Sequence, residues 1–449
     1  MKVAKFGGTS LASAGQIKKV CNIILSDPER QIIVVSAPGK RDKNDTKVTD
    51  MLIACAESYL ANGNADEETE KVVTRYAEIA QELGLSNEIV DAIRDDIKER
   101  LKITSSGREG FIDSLKAAGE DNCAKLVAAY LQSIGVDAKY INPKDAGLIL
   151  SNEYGNAQVL PQSYDNLKSL KNIPGIKIFP GFFGYSLNGE IVTFSRGGSD
   201  ITGSILAAAV NADLYENYTD VDCVYSVNPN IVPNPQPIRE ITYREMRELS
   251  YAGFSVFHEE ALVPVYRKGV PVRIKNTNNP DAPGTTIVLH REKYNGPVVG
   301  IAGDKGFCTI YISKYLMNRE IGFGRKVLQI LEDEGLSYEH IPSGIDHMSI
   351  VMRESQLTKD IEKRVIRRIY DELAVDHITV EHDQALIMIV GEGMQRTIGI
   401  AARITGALAR ASVNIEMINQ GSSEESIMIG VRADDCTKAI QAIYHEFFK

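Results

Sequence analysis

Apolar positions in the first half of the chain fall into two alternating patterns. Short, nearly unbroken runs, Val3-Ala4-Lys5-Phe6 and Ile32-Ile33-Val34-Val35, predict strands covered on both faces. Between them Ile17, Val20, Cys21 and Ile24 recur at helical spacing behind the capping box Ser13-Ala14-Gly15-Gln16, which predicts a strand, glycine loop, helix, strand unit. Residues 67–100 are charged, with Val72, Tyr76, Ile79 and Leu83 on one stripe, and predict a helical excursion covering the sheet. Further strands are expected at 138–141, 176–179, 191–194 and 214–218, most of them running into loops rich in glycine, serine, aspartate or proline. The alternation predicts an α/β fold, a mostly parallel sheet sandwiched by helices, with ligands at the carboxyl ends of its strands.

The turn-rich stretch Asn276-Thr277-Asn278-Asn279-Pro280-Asp281-Ala282-Pro283-Gly284 and the later Asn295-Gly296-Pro297 set the expected boundary of the first domain at 295. Beyond it the chain repeats itself at an offset of 77 residues, aligning Gly322 with Gly399, Ser337 with Asn414, Gly344 with Gly421 and Ile350 with Ile427. Each copy reads strand, helix, strand, strand, helix, with 307–312, 323–334, 336–341, 349–353 and 357–373 as the segments of the first. A pair of such α+β modules resembles tandem ACT domains, the ferredoxin-like sensing units attached to many metabolic enzymes. The expected organisation is a catalytic domain over 1–295 and ACT domains over 296–382 and 383–449.

Composition narrows the function class. Sixty acids against 50 bases give a net charge of -10, and the short Lys40-Arg41-Asp42-Lys43 stretch is the only notable charge cluster, so neither nucleic acid nor a membrane surface is the expected partner. The six cysteines are scattered without a Cys-x-x-Cys pair, which predicts free thiols and no metal site. No apolar run approaches signal-peptide or membrane-spanning length, and a cytoplasmic location is expected.

Three constellations carry candidate chemistry. Lys5-Phe6-Gly7-Gly8-Thr9-Ser10 follows a strand, where glycines let backbone N–H groups approach phosphate oxygens and Lys5 neutralises their charge. Ser195-Arg196-Gly197-Gly198-Ser199-Asp200 follows another strand and opens a helix; the arginine suits carboxylate or phosphate, and Ser199 and Asp200 are candidate caps. The loop from Thr219-Asp220-Val221-Asp222-Cys223-Val224-Tyr225 to Asn228-Pro229 offers hydroxyl, carboxylate and ring contacts to a nucleoside. Taken singly, each has a plain alternative as a tight turn, a capped helix or a surface hairpin.

In this order and wording the three constellations resemble the amino-acid kinase family, and the aspartate kinases within it, which also end in tandem ACT modules. The resemblance spans the whole chain. It implies ATP as substrate with Mg2+ carried on it, and contacts to the nucleotide from Lys5, Gly7, Gly8, Ser36, Thr219, Asp220, Tyr225, Asn228 and Pro229. It implies an aspartate pocket of Thr49, Glu120, Phe182, Arg196, Gly197, Gly198 and Ser199, with Thr46 competing for the role of Thr49. Glu120 belongs to Gly119-Glu120, read as preceding the helix 124–131 in preference to Gly107-Arg108-Glu109, and would hold the substrate ammonium. Lys5 and Asp200 would be the catalytic pair. The chain departs from the family pattern at Cys223 (usually glycine), Asn230 (usually arginine) and Ser255 (usually lysine).

The implied reaction is phosphorylation of the side-chain carboxylate of L-aspartate to 4-phospho-L-aspartate, a first step toward lysine, threonine and methionine. A carboxylate is already ionised at neutral pH, so the acceptor needs no general base, and positioning and cations carry the transfer. The loop 39–47, with Lys40, Arg41, Lys43 and Lys47, reads either as a lid over the phosphates or as a solvated charged loop. Feedback through the ACT pair is implied, by lysine with threonine as a second candidate, at Met317, Phe323, Ser337, Glu339 and Asn414. Strand edges of such modules imply a homodimer or larger assembly. The competing readings are a kinase for glutamate or another small acid, and a non-catalytic amino-acid sensor.

Overall fold

A computed structural model describes residues 1–103, 107–254, 256–421, 423 and 425–449. The chain divides into two compact units, the first formed by Met1–Val224, Pro237–Ser250 and Ser255–Glu292, the second by Tyr225–Gln236, Tyr251–Phe254 and Lys293–Lys449.

The first unit is built on an eight-stranded sheet. Its strands are β1 (Lys2–Phe6), β2 (Arg30–Val35), β3 (Ala138–Tyr140), β5 (Ile176–Pro180), β8 (Leu214–Thr219), β9 (Glu240–Thr242), β10 (Val272–Asn276) and β11 (Thr285–Val288), in the order β3-β5-β2-β1-β8-β10-β11-β9. Every pairing is parallel except β10 with β11. A separate three-stranded sheet holds β4 (Ile149–Leu150), β6 (Phe183–Ser186) and β7 (Ile191–Thr193). Val3, Ala4, Phe6 and 32–35 are wholly buried, as strands covered on both faces must be.

One face of the large sheet carries α1 (Ala14–Leu25), α2 (Val48–Asn62), α3 (Asp66–Leu83), α4 (Asn87–Lys102) and α5 (Gly107–Ser133), whose apolar stripes join Ala4, Phe6, Ile33, Val35 and Ile178 in a single core. The excursion at 67–100 is two helices, because Gly84 takes a left-handed conformation (φ +75) that ends α3. Helix Gly198–Ala209 packs on the other face against β1 and β2, with helix Glu259–Lys268 against it.

The second unit holds β12 (Gly300–Ser313), β13 (His347–Arg353), β14 (His377–Val390), β15 (Met417–Gln420) and β16 (Ser426–Arg432), ordered β13-β12-β14-β16-β15 and antiparallel throughout. The 77-residue repeat appears in three dimensions as helices Phe323–Asp333 and Ile400–Arg410, each entered through a left-handed glycine, Gly322 (φ +78) or Gly399 (φ +86). The predicted strand at 336–341 does not form as such; it makes only isolated bridges, such as His340 with Val351. The two modules share their strands. Residues 300–305 of β12 pair with 385–390 of β14, and beyond Gly306 the same strand turns to β13 and to 377–384. Ile301 accordingly lies in one core with Ile387, Ile404 and Ile440, while Ile310 lies in another with Val327, Ile350 and Ile369. Among the described residues no helix is long and apolar enough to cross a membrane.

Candidate active site

Parallel pairing brings the ends of β1, β2, β5 and β8 to one edge of the sheet, and the polar loops gather there. Lys5 lies on the central strand, opposite Val34 on β2 and Asn217 on β8. Its ammonium meets the Asp200 carboxylate at 2.5 Å, both side chains nearly buried. Asn217 donates to Asp200 Oδ1 at 2.8 Å, and the Tyr215 hydroxyl donates to the Asp200 carbonyl at 3.1 Å. The carboxylate thereby has a fixed direction, and Lys5 is held without losing its reach toward the loop: a Cβ added at Gly7 would lie 3.6 Å from its Nζ.

The glycine loop is pinned on both sides. Gly7 N–H donates to the Tyr218 carbonyl at 3.1 Å, and Gly39 N–H to the Gly8 carbonyl at 2.8 Å. A side chain on Gly8 would stand 2.9 Å from the Ala37 carbonyl, and one on Gly39 would stand 2.6 Å from the Gly8 carbonyl carbon, so the close approach of Gly8 and Gly39 requires glycine on both sides. Arg75 of α3, buried, donates to the Gly39 carbonyl and to Asp45, both at 2.7 Å, and Arg41 also bonds Asp45. These guanidinium groups, Arg41 first, hold the Asp45 carboxyl well below the usual carboxylate range. Loop 39–47 is thus fastened to α3 here.

Glu120 is the most perturbed acid of this edge. Burial pushes its carboxyl up to about 8, against the pull of the Ala37 N–H, its own N–H and the charge of Lys5. Its Oε2 has no hydrogen-bond partner among the described residues. A buried acid with an unpaired oxygen fits a cationic ligand, since an ammonium would satisfy the oxygen and favour the ionised form. The expectation that Gly119-Glu120 precedes a helix is corrected: α5 begins at Gly107 and the pair lies within it. The apolar stripe of the second half hid the first half, where buried polar residues such as Asp113 and Ser114 face the protein instead. Gly119 has a packing role, because a Cβ there would meet the Ala37 Cβ at 2.8 Å.

The arginine loop folds against the Gly181-Phe182 turn. Phe182 is itself left-handed (φ +75), and its N–H donates to Thr202 Oγ1 at 3.0 Å. Side chains on Gly198 or Gly181 would strike Phe182 and Ser199 respectively at 2.6 Å. Ser199 and Asp200 do not cap the helix as expected; the N-cap is Gly197 (φ +77), which makes no side-chain cap bond. The carboxylate of Asp200 is drawn to Lys5 instead; the Asp200 N–H donates to the Gly197 carbonyl at 2.8 Å, and among the described residues the N–H groups of Gly198 and Ser199 are left open to an anion. Arg196 is exposed and makes no ion pair with a described residue.

Of the remaining predicted residues, Ser36 is half-buried beside the glycine loop, its N–H donating to the Phe6 carbonyl. Thr49 is half-buried on the first turn of α2, and Thr46 is exposed. Thr219 ends β8 and donates to Asp220 at 3.2 Å. Tyr225, Asn228 and Pro229 belong to the second unit. There Asn228 Oδ1 accepts from the Asn230 N–H, so Asn230 shapes the turn. Cys223 is buried, and Ser255 falls outside the described residues. In the second unit Met317 and Phe323 are core side chains, Ser337 bonds Gln356, Glu339 accepts from the Tyr251 hydroxyl, and Asn414 is exposed and bonds Glu416. Asn217 and Tyr215 were not foreseen; the polar pair Glu216-Asn217 in an otherwise apolar strand was the available signal.

The chain belongs to the amino acid kinase family, whose profile matches residues 1–276; an ACT domain profile matches 387–447. It is 62% identical over 448 residues to Aspartokinase 3 of Bacillus subtilis (strain 168), covering 100% of this chain and 99% of that one. The crystal structure of Clostridium acetobutylicum aspartate kinase, described there as an allosteric enzyme, superposes with a TM-score of 0.87 at 41% identity over the whole of both chains. E. coli aspartokinase III in complex with lysine and aspartate superposes at 0.76, with 25% identity and both chains covered completely. Within the family it is therefore an aspartate kinase, an enzyme with ATP as its phosphoryl donor.

Proposed function

We propose that the first unit transfers the γ-phosphoryl group of Mg-ATP to the side-chain carboxylate of L-aspartate, giving 4-phospho-L-aspartate and ADP. The observation that carries this reading is the unpaired, buried oxygen of Glu120 in the electrostatic reach of Lys5. Glu120 takes the amino-acid ammonium and Arg196 takes the α-carboxylate, with Thr49, Phe182, Gly197, Gly198 and Ser199 around them. The side-chain carboxylate then faces the γ-phosphate in line. Lys5, oriented by Asp200, neutralises charge on the transferring oxygens, and Gly7, Gly8, Ser36, Thr219 and Asp220 hold the nucleotide. Mg2+ enters as part of the substrate. Catalysis is positioning plus charge neutralisation, with the attacking oxygen already ionised.

The ACT modules report an end product to this site. Lysine is the effector, with threonine as the second candidate, through Met317, Phe323, Ser337, Glu339 and Asn414. Support comes from the repeated module and from the lysine in the E. coli complex. Met317 and Phe323 would act through backbone or through repacking, since their side chains are in the core. The enzyme works as a homodimer in the cytoplasm, at the head of lysine, threonine and methionine synthesis. A hydroxamate assay with ATP tests the reading: aspartate should give product, glutamate little, and millimolar lysine should lower the rate. Equal turnover of glutamate, or indifference to both lysine and threonine, refutes the corresponding part.

A further inference from the structure

Outside the residues assigned to substrates, Asp113 is a buried acid with one carboxylate oxygen bonded to the backbone of other elements. It lies on α5 one heptad before Glu120, on the same helix face and about 10 Å along the axis. Its Oδ2 accepts two backbone hydrogen bonds, from Thr193 N–H at 2.8 Å and from Gly155 N–H at 2.8 Å. Its Oδ1 meets Lys116 Nζ at 3.3 Å. Thr193 is the last residue of β7, three positions before Arg196, and its carbonyl accepts from Ala157 N–H at 3.1 Å. The next residue, Phe194, donates to the Phe182 carbonyl at 2.9 Å and so ties the strand end to the Gly181-Phe182 turn.

We infer that Asp113 is a positioning residue for the amino-acid substrate: it locks α5 to the end of β7 and so sets the distance between Glu120 and the Arg196 loop. The inference rests on the assignment of those two groups to the ammonium and the α-carboxylate. The physical argument is one of stiffness. β7 belongs to the small sheet, whereas Glu120 is carried by a helix of the large core, and among the described residues no strand pairing joins the two sheets. A charged acceptor holding two N–H groups from other elements makes a short, directional tie where packing alone would allow sliding. A displacement of about 1 Å between two groups that hold one small molecule costs as much as 100-fold in efficiency. The nucleotide loops at the ends of β1 and β8 do not hang on this tie, so its loss should be felt by one substrate only.

The experiment compares steady-state kinetics of the full-length enzyme and its variants, with both substrates titrated. D113A should raise the KM for aspartate on the order of tenfold and leave that for ATP within about twofold. D113N, whose amide oxygen still accepts both N–H groups, should recover most of the loss. D113E keeps charge and acceptors but pushes β7 away, so it should also raise the aspartate KM alone; it serves if D113A does not fold. A folded D113A or D113E enzyme with unchanged aspartate KM, or a parallel rise in both KM values, overturns the inference. E120Q and R196A run beside them: if these leave the aspartate KM unchanged, the assignment of the pocket fails instead.

Discussion

Replacing Glu120 by Gln tests the pocket through protons. With its carboxyl pushed up to about 8 by burial, Glu120 is roughly nine-tenths protonated in the unliganded enzyme at pH 7. An ammonium at contact distance lowers a carboxyl pKa by about 1–3 units, so aspartate binding at pH 7 should expel between roughly 0.4 and 0.9 of a proton per site. Calorimetric titration in buffers of different ionisation enthalpy measures that number directly. E120Q should bind aspartate more weakly, and the release assigned to Glu120 should vanish. Stability carries the same signature. The folded enzyme keeps the proton that the unfolded chain has lost between about 4.5 and about 8, so wild-type stability falls as pH rises through that window, by at most about 5 kcal/mol. E120Q should flatten the slope. Equal proton release by wild type and variant would refute the assignment of the ammonium to Glu120, and parallel pH–melting curves would refute the burial that raises its carboxyl.

Two further substitutions probe Lys5 and the backbone of the arginine loop. Lys5→Ala should lower kcat on the order of 10³-fold, because a charge poised at the transferring oxygens is removed, while the aspartate KM stays within about threefold; near-normal turnover would exclude Lys5 from the transition state. Gly197→Ala should cost about 1–2 kcal/mol from the left-handed backbone alone, and more from a Cβ placed 2.6 Å from that of His258. Differential scanning calorimetry should show a lower Tm, and a variant melting like wild type would contradict the geometry.

Periodicity was enough to establish the parallel sheet, the glycine loops at its carboxyl edge and the 77-residue repeat, because strand burial and helix entry impose patterns on neighbouring residues. Lys5, Gly7, Gly8 and Asp200 stood out because each lies in a short glycine motif at a strand end, while the roles expected of them came from the family resemblance. The extent of α5 was not, since its first half turns polar side chains inward and carries no apolar stripe. The acidity of Glu120 was equally invisible, for it depends on the packing of α5 against Ala37 and α2 from a distant part of the chain. The partition of the second unit also escaped the repeat. One continuous strand, Gly300–Ser313, serves two cores, and only its pairing with 385–390 on one side of Gly306 and with 347–353 on the other decides which residues belong to which. Sequence determined most of the elements; tertiary structure decided the pairing of Lys5 with Asp200 and the burial that leaves Glu120 Oε2 without a partner among the described residues, because both arise from contacts between segments about 80 to 200 residues apart.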